Sequence, residues 1–284
     1  MARSMRSAAA AVVLLATVLV GCGAGGSSGD DGDAAAPVTE TGETACPAKG
    51  HQDTFASGLS PDRIPNLPSG FSFTFVKADG CSPVRFDPCQ PVHYVMNAAE
   101  APATGVADVR EAFSRLGAAT GIAFVDDGMT DEPSRRRGYD ADRYPGRWAP
   151  ILVVWAHQSA GRADVEIVGS GFPIRVDDVL VSGTLTLNVD AVVNRARNTP
   201  VPGGFGGGSG VGAIGAEGVT WGRVILHELA HVMGLGHTRD RDQLMFPDTA
   251  EQTAQTTDYR AGDREGLRAL GRDAGCLSGG PAPG

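Results

Sequence analysis

The chain has 284 residues and a formal net charge of −9, and 42% of it is hydrophobic against 20% charged. Residues 1–21 carry Arg3 and Arg6, so their removal takes the charge from −9 to −11. With no basic stripe to override that total, the composition excludes a nucleic-acid binder, and the length allows one well-buried domain plus tails.

In chain order, Arg3 and Arg6 precede an apolar run from Ala8 to Val20 that is too short and too closely followed by Gly, Ser and Asp for a membrane span. It reads as an export signal. Leu19-Val20-Gly21-Cys22 resembles the bacterial lipobox, which implies a lipoprotein signal peptide over 1–21 and a lipidated Cys22. That resemblance places the mature chain on the outer face of the bacterial cell membrane, held by an N-terminal lipid anchor; the alternative is an ordinary secretion signal with Cys22 unmodified. Residues 22–44 are Gly, Ser, Asp and Ala with little to bury, the composition of a flexible tether.

Residues 45–90 form an extension with scattered prolines, three cysteines and the alternation Phe71-Ser72-Phe73-Thr74-Phe75 of a short strand. Leaving Cys22 aside, Cys46, Cys81, Cys89 and Cys276 are an even number in an oxidising location, so two disulfides are expected, with three possible pairings. The expected pairing joins Cys81 to Cys89 across a short loop and Cys46 to Cys276 across the ends of the domain.

A regular domain is expected over 91–276. Val92–Asn97 has the pattern of a strand; Val106, Val109, Phe113 and Leu116 recur on one face of a helix; Ile122–Val125 is a second strand. Ile151–Trp155 is a buried strand, Val165–Val168 a shorter one, and Gly183–Val189 alternates Thr with aliphatic residues. A helix starts near Thr220, whose hydroxyl can cap it, and a last helix spans 262–270 before a flexible tail over 277–284. Gly203–Gly218 is glycine-rich but lacks the lysine ending of a phosphate cradle, so it reads as a mobile loop. Arg135-Arg136-Arg137 is a solvated loop, and His157 a surface histidine at a strand end.

Residues 227–237 read HELAHVMGLGH and hold half of the six histidines. On a helix, His227 and His231 sit one turn apart on the same face and can grip one ion. Glu228, one step round the helix, is placed to act as general base. Gly234 adopts a left-handed conformation at little cost, which ends the helix and lets the chain return His237 as third ligand. Three protein nitrogens plus a water is the arrangement of a catalytic zinc, whereas a structural zinc is closed by four ligands.

This run resembles the signature of the metzincin metalloproteases, H-E-x-x-H-x-x-G-x-x-H followed by a methionine turn. Gln243-Leu244-Met245-Phe246-Pro247 is similar to that turn in its matrixin form, since other branches place a tyrosine where Pro247 stands. The resemblance runs from about Val92 to Gly271. It implies an α+β fold: a twisted mixed sheet with a long helix packed on it, an active-site helix and a C-terminal helix. It also implies that Asp263 braces the methionine turn, with Gly262 replacing the neighbouring acid that pairs with a processed N-terminus in matrixins. No Pro-Arg-Cys-Gly switch is present.

The function so implied is zinc-dependent hydrolysis of peptide bonds in extracellular or envelope proteins by a monomer, with one catalytic Zn2+ and Glu228 as base. Calcium is left open, because Asp177-Asp178 alone decides nothing. In the family, substrate lies extended along an edge strand, for which Val165–Gly171 is the candidate here. Thr249 stands where matrixins usually put a pocket tyrosine, so their side-chain preference does not transfer. The alternatives are a non-catalytic zinc-binding surface lipoprotein scaffold, disfavoured because Glu228 is present, and a hydrolase of cell-wall amides using the same chemistry.

Overall fold

A computed structural model describes residues 46, 70–134, 140–157, 168–194, 198–206, 219–247 and 257–283. All of them belong to one compact unit, Ala45–Gly284. The signal peptide, the tether, Cys22, Arg135–Arg137, Val165–Ile167, most of the glycine-rich loop and Thr249 lie outside the described residues.

Element order is strand β1 (Ser72–Phe73), β2 (Val92–Asn97), helix α1 (Gly105–Thr120), β3 (Phe124–Met129), β4 (Ile151–Ala156), β5 (Gly169–Val176), β6 (Val179–Asn188), β7 (Val192–Asn194), β8 (Thr199–Pro200), helix α2 (Trp221–Val232), β9 (Leu235–Gly236) and helix α3 (Ala261–Leu270). A five-stranded sheet runs β3-β2-β4-β6-β5, parallel except for β5, with two-stranded ladders β1-β9 and β7-β8. This is the expected α+β architecture.

Local sequence explains most elements. Val109, Phe113 and Leu116 face the core from α1, and Gly121 ends that helix at φ 70°, its N–H on the Gly117 carbonyl. The stretch after it enters β3 at Phe124, two residues later than expected, because Ile122 is buried in the turn. Strand β4, Ile151–Ala156, is apolar on both faces because it is flanked by β2 and β6 and covered on both sides, as central parallel strands are.

The expected strand over Val165–Val168 lies, except for Val168, outside the described residues; strand β5 starts at Gly169 and continues through Pro173 to Val176. Gly169, Gly171 and Pro173 erase the hydrophobic alternation by which strands are read. Pro173 is tolerated because β5 is an edge strand, where one N–H per pair has no ladder partner to satisfy. The glycines let α2 lie directly on the strand: a Cβ on Gly171 would stand 2.1 Å from the Glu228 carbonyl oxygen. Asp177-Asp178 forms the β5–β6 hairpin turn, with Asp177 at φ 51°.

All four expected cysteines are in disulfides, but the pairing is Cys46–Cys81 and Cys89–Cys276 rather than Cys81–Cys89 and Cys46–Cys276. The bridges Val76↔Pro83 and Arg85↔Val179 hold the middle of the stretch between Cys81 and Cys89 against the N-terminal segment on one side and β6 on the other. From those positions Cys81 meets Cys46 and Cys89 meets Cys276. Cys89–Cys276 ties the start of β2 to the end of the last helix region. Beyond it, Leu277 N donates to Asp87 and Trp148 Nε1 to the Pro281 carbonyl.

Candidate metal centre

Helix α2 begins at Thr220, whose hydroxyl accepts from Arg223 N at 3.5 Å, as expected of that residue. All twelve of its residues are buried, because it is enclosed by α1, β5, β6 and the loop that follows it. Close approach to the sheet is again a matter of glycine, since a Cβ on Gly183 would meet Val232 at 2.5 Å. The helix gives way to Gly234 at φ 100°, and β9 carries the chain back to His237.

This return brings the three imidazoles together. His227, His231 and His237 place their Nε2 atoms 3.2 to 3.3 Å apart, at exposures of 7%, 0% and 0%. The Nδ1 atoms of the two helical histidines settle the tautomers. His227 Nδ1–H donates to the Leu244 carbonyl and His231 Nδ1–H to the Leu235 carbonyl, each at 2.7 Å. A carbonyl only accepts, so both rings carry their proton on Nδ1 and turn a bare Nε2 lone pair inward. Burial pushes His227 down to about 4 and the other two well below the ordinary value, which keeps all three neutral.

Two bare lone pairs converging with a third buried imidazole nitrogen suit a cation at their meeting point. Zinc bound by tetrahedral nitrogens at about 2.0 Å requires N···N edges of about 3.3 Å. The observed spacing meets that requirement. The all-imidazole donor set also suits zinc better than it suits calcium or magnesium, which take oxygen ligands.

Glu228 is 4% exposed, and burial pushes its carboxyl up to about 8 against a backbone hydrogen bond from Gly171. Its Oε2 has no hydrogen-bond partner among the described residues. A desolvated carboxylate beside three metal-facing imidazoles has a high affinity for a proton.

The turn beneath the site is held from α3. Asp263 accepts from Leu244 N at 2.7 Å, Met245 N at 3.2 Å and Arg260 N at 2.9 Å, while Gln243 Oε1 accepts from Gly262 N and Asp263 N. Met245 is buried in the main core, and its carbonyl accepts from Thr238 N just past His237. Pro247 follows, half-buried. At Gly262 a Cβ would stand 2.7 Å from the Gly70 carbonyl, so the N-terminal segment itself occupies the space an acid would need.

Away from this cluster, His157 is exposed and bonded to Asp190 at 2.9 Å. Sequence reading missed Ser72, Thr74 and Tyr259. Tyr259 donates to the Leu226 carbonyl from behind α2, and the serine of β1 and the threonine just after it reach the ligand loop. The only sequence signal for the last two was the polar phase of the Phe71–Phe75 alternation, which by itself marks a solvent face.

Residues 154–271 match the family Peptidase_M10, Matrixin. No curated protein matches the chain. The matrixin family is zinc-dependent and its members are peptidases, and the matched span contains the whole histidine cluster, the methionine turn and Asp263. The mixed sheet, the site helix and the returning third histidine agree with that match and support a matrixin-like metzincin fold around residues 154–271.

Proposed function

We propose that the protein is a zinc metalloendopeptidase that cleaves extracellular or envelope proteins, with one catalytic ion held by His227, His231 and His237. The observation that carries the reading is the juxtaposition of three inward Nε2 atoms with the buried Glu228 carboxyl. When bound, zinc supplies Lewis-acid chemistry, making water acidic near neutral pH and drawing charge from a carbonyl oxygen. Glu228 takes the proton of the attacking water on a carboxylate oxygen and returns it to the leaving nitrogen, so that the pair of steps balances. The outer edge of β5, whose Gly171 N–H touches Glu228, offers backbone groups to an extended peptide. It replaces Val165–Gly171 as the candidate, sharing 169–171 with it.

The test is cleavage of a broad peptide library by the zinc-loaded protein beside Glu228→Gln. The substitution should cut kcat/KM by about 10^3-fold or more with zinc content unchanged. Equal turnover by both proteins would sink the assignment of Glu228, and zinc loading without any turnover would favour a scaffold.

The exported lipoprotein form belongs to the same proposal. Its support is the Leu19–Cys22 run together with the pairing of all four remaining cysteines, which suits an oxidising location. Fatty-acid labelling of the wild type that persists in Cys22→Ser would rule it out.

A further inference from the structure

Strand β1 lies against the ligand loop rather than at the periphery. It pairs antiparallel with β9 in the register Ser72↔Gly236 and Phe73↔Leu235. Phe73, between the two hydroxyl residues, points into the core at 1% exposure, so Ser72 and Thr74 both face the other way, toward the loop. Three carbonyls of that loop are then taken in turn. The Gly234 carbonyl accepts from Thr74 N at 2.8 Å, Leu235 from Thr74 Oγ1 at 3.1 Å, and His237 from Ser72 Oγ at 2.7 Å. Both side chains are buried, at 0% and 2% exposure.

The Leu235 carbonyl has a double duty. It receives the Thr74 hydroxyl on one side and His231 Nδ1–H on the other. Two donors fill its two lone pairs and fix the direction in which it holds the imidazole. His237 has no helix to fix it, and its backbone is held by the Ser72 hydroxyl. We infer that Ser72 and Thr74 are positioning residues of the metal centre, acting on His237 and His231 through the ligand-loop carbonyls. The inference rests on the zinc reading above. It draws the segment before residue 154, outside the matrixin match, into the metal site.

The experiment measures zinc affinity of the full chain by competition with a chromophoric chelator, alongside the thermal midpoint. Ser72→Ala and Thr74→Val should each weaken zinc about 10-fold and the pair about 100-fold, the range seen when partners of metal ligands are removed. Thr74→Ser keeps the hydroxyl and should restore affinity to within about 3-fold of wild type. Ser182→Ala removes a buried hydroxyl bonded to the Pro150 carbonyl, away from the ligand loop, and should lower the midpoint with zinc affinity unchanged. Should Thr74→Val not fold, Ser72→Ala carries the test by itself. Wild-type zinc affinity in the hydroxyl-free variants, whatever their midpoints, would overturn the inference alone. A wild type that takes up no zinc would overturn the metal reading as well.

Discussion

His227 and His231 are oriented by clamps of different make. The first gives its Nδ1 proton to Leu244, whose turn hangs on the Asp263 carboxylate of α3, 18 and 19 residues away. The second gives its proton to Leu235, whose loop is held by the hydroxyls of Thr74 and Ser72, just after and within β1, across separations of 161 and 165 residues. A buried carboxylate binds three N–H groups strongly but is costly to keep ionised away from water, whereas hydroxyls are cheap to bury and form weaker bonds. The carboxylate clamp is compact and lies inside the matrixin match. The hydroxyl clamp depends on a distant segment staying docked.

The largest expected effect treats the clamps as serving one centre. His227→Ala and His231→Ala should each abolish measurable peptidase activity and drop zinc content well below one ion per chain. Should either variant alone keep full zinc occupancy, the two clamps would not converge on a common ion.

Undoing the hydroxyl clamp at its far end is next. Replacing Cys46 and Cys81 by serine frees a loop of 35 residues and should cost about 4 kcal/mol by the chain-entropy account. Hydrogen exchange should then accelerate at Ser72–Thr74 before it does at Leu244–Met245. Equal acceleration at both would erase the distinction between the clamps.

Asp263→Ala should cost about 3 kcal/mol, because three backbone N–H groups lose their acceptor. Its pH dependence sharpens the contrast with the uncharged clamp. Burial raises Asp263 from 3.8 to about 6, against the three N–H donors that pull it down. A folded value above the unfolded one means that the folded state binds the proton more tightly. The stability this gives is complete below about pH 3.8 and is lost as pH rises through 6. Relative to Asp263→Asn, the wild type should therefore gain up to about 3 kcal/mol as pH falls from 7 to 4, read from urea midpoints in matched zinc buffer. A pH-independent difference would contradict this origin of the shift.

The smallest effect is a control for both sides. Tyr259→Phe removes a hydrogen bond to the Leu226 carbonyl on the back of α2 and should cost about 1 kcal/mol with zinc affinity unchanged. A measurable loss of zinc would mean that the helix, not the two clamps, sets ligand geometry.

How much of this was legible in the chain follows the sequence distance over which each feature acts. His227, Glu228 and His231 share one helix turn, Gly234 needs only its own φ, and Thr220 caps three residues ahead, so local periodicity and residue type suffice to place them. Asp263 was readable through the family resemblance, because its target lies close in sequence. Strand β5 was not, because Gly169 and Gly171 answer to the surface of α2 and Pro173 to the free edge of the sheet, and neither neighbour is visible in the strand itself. The cysteine pairing failed for a related reason: short separation favoured Cys81 with Cys89, but the bridges at Pro83 and Arg85 hold that stretch against other segments, and each cysteine meets a distant partner.

The sequence by itself determined the donor set, its helical spacing and the residue types that stop and return the chain, because these are properties of neighbours within one or two turns. Tertiary structure alone decided which carbonyls hold the imidazoles, which hydroxyls hold those carbonyls and which cysteines meet. Those choices depend on strands and helices from opposite ends of the chain being packed into contact, and no local pattern encodes that contact.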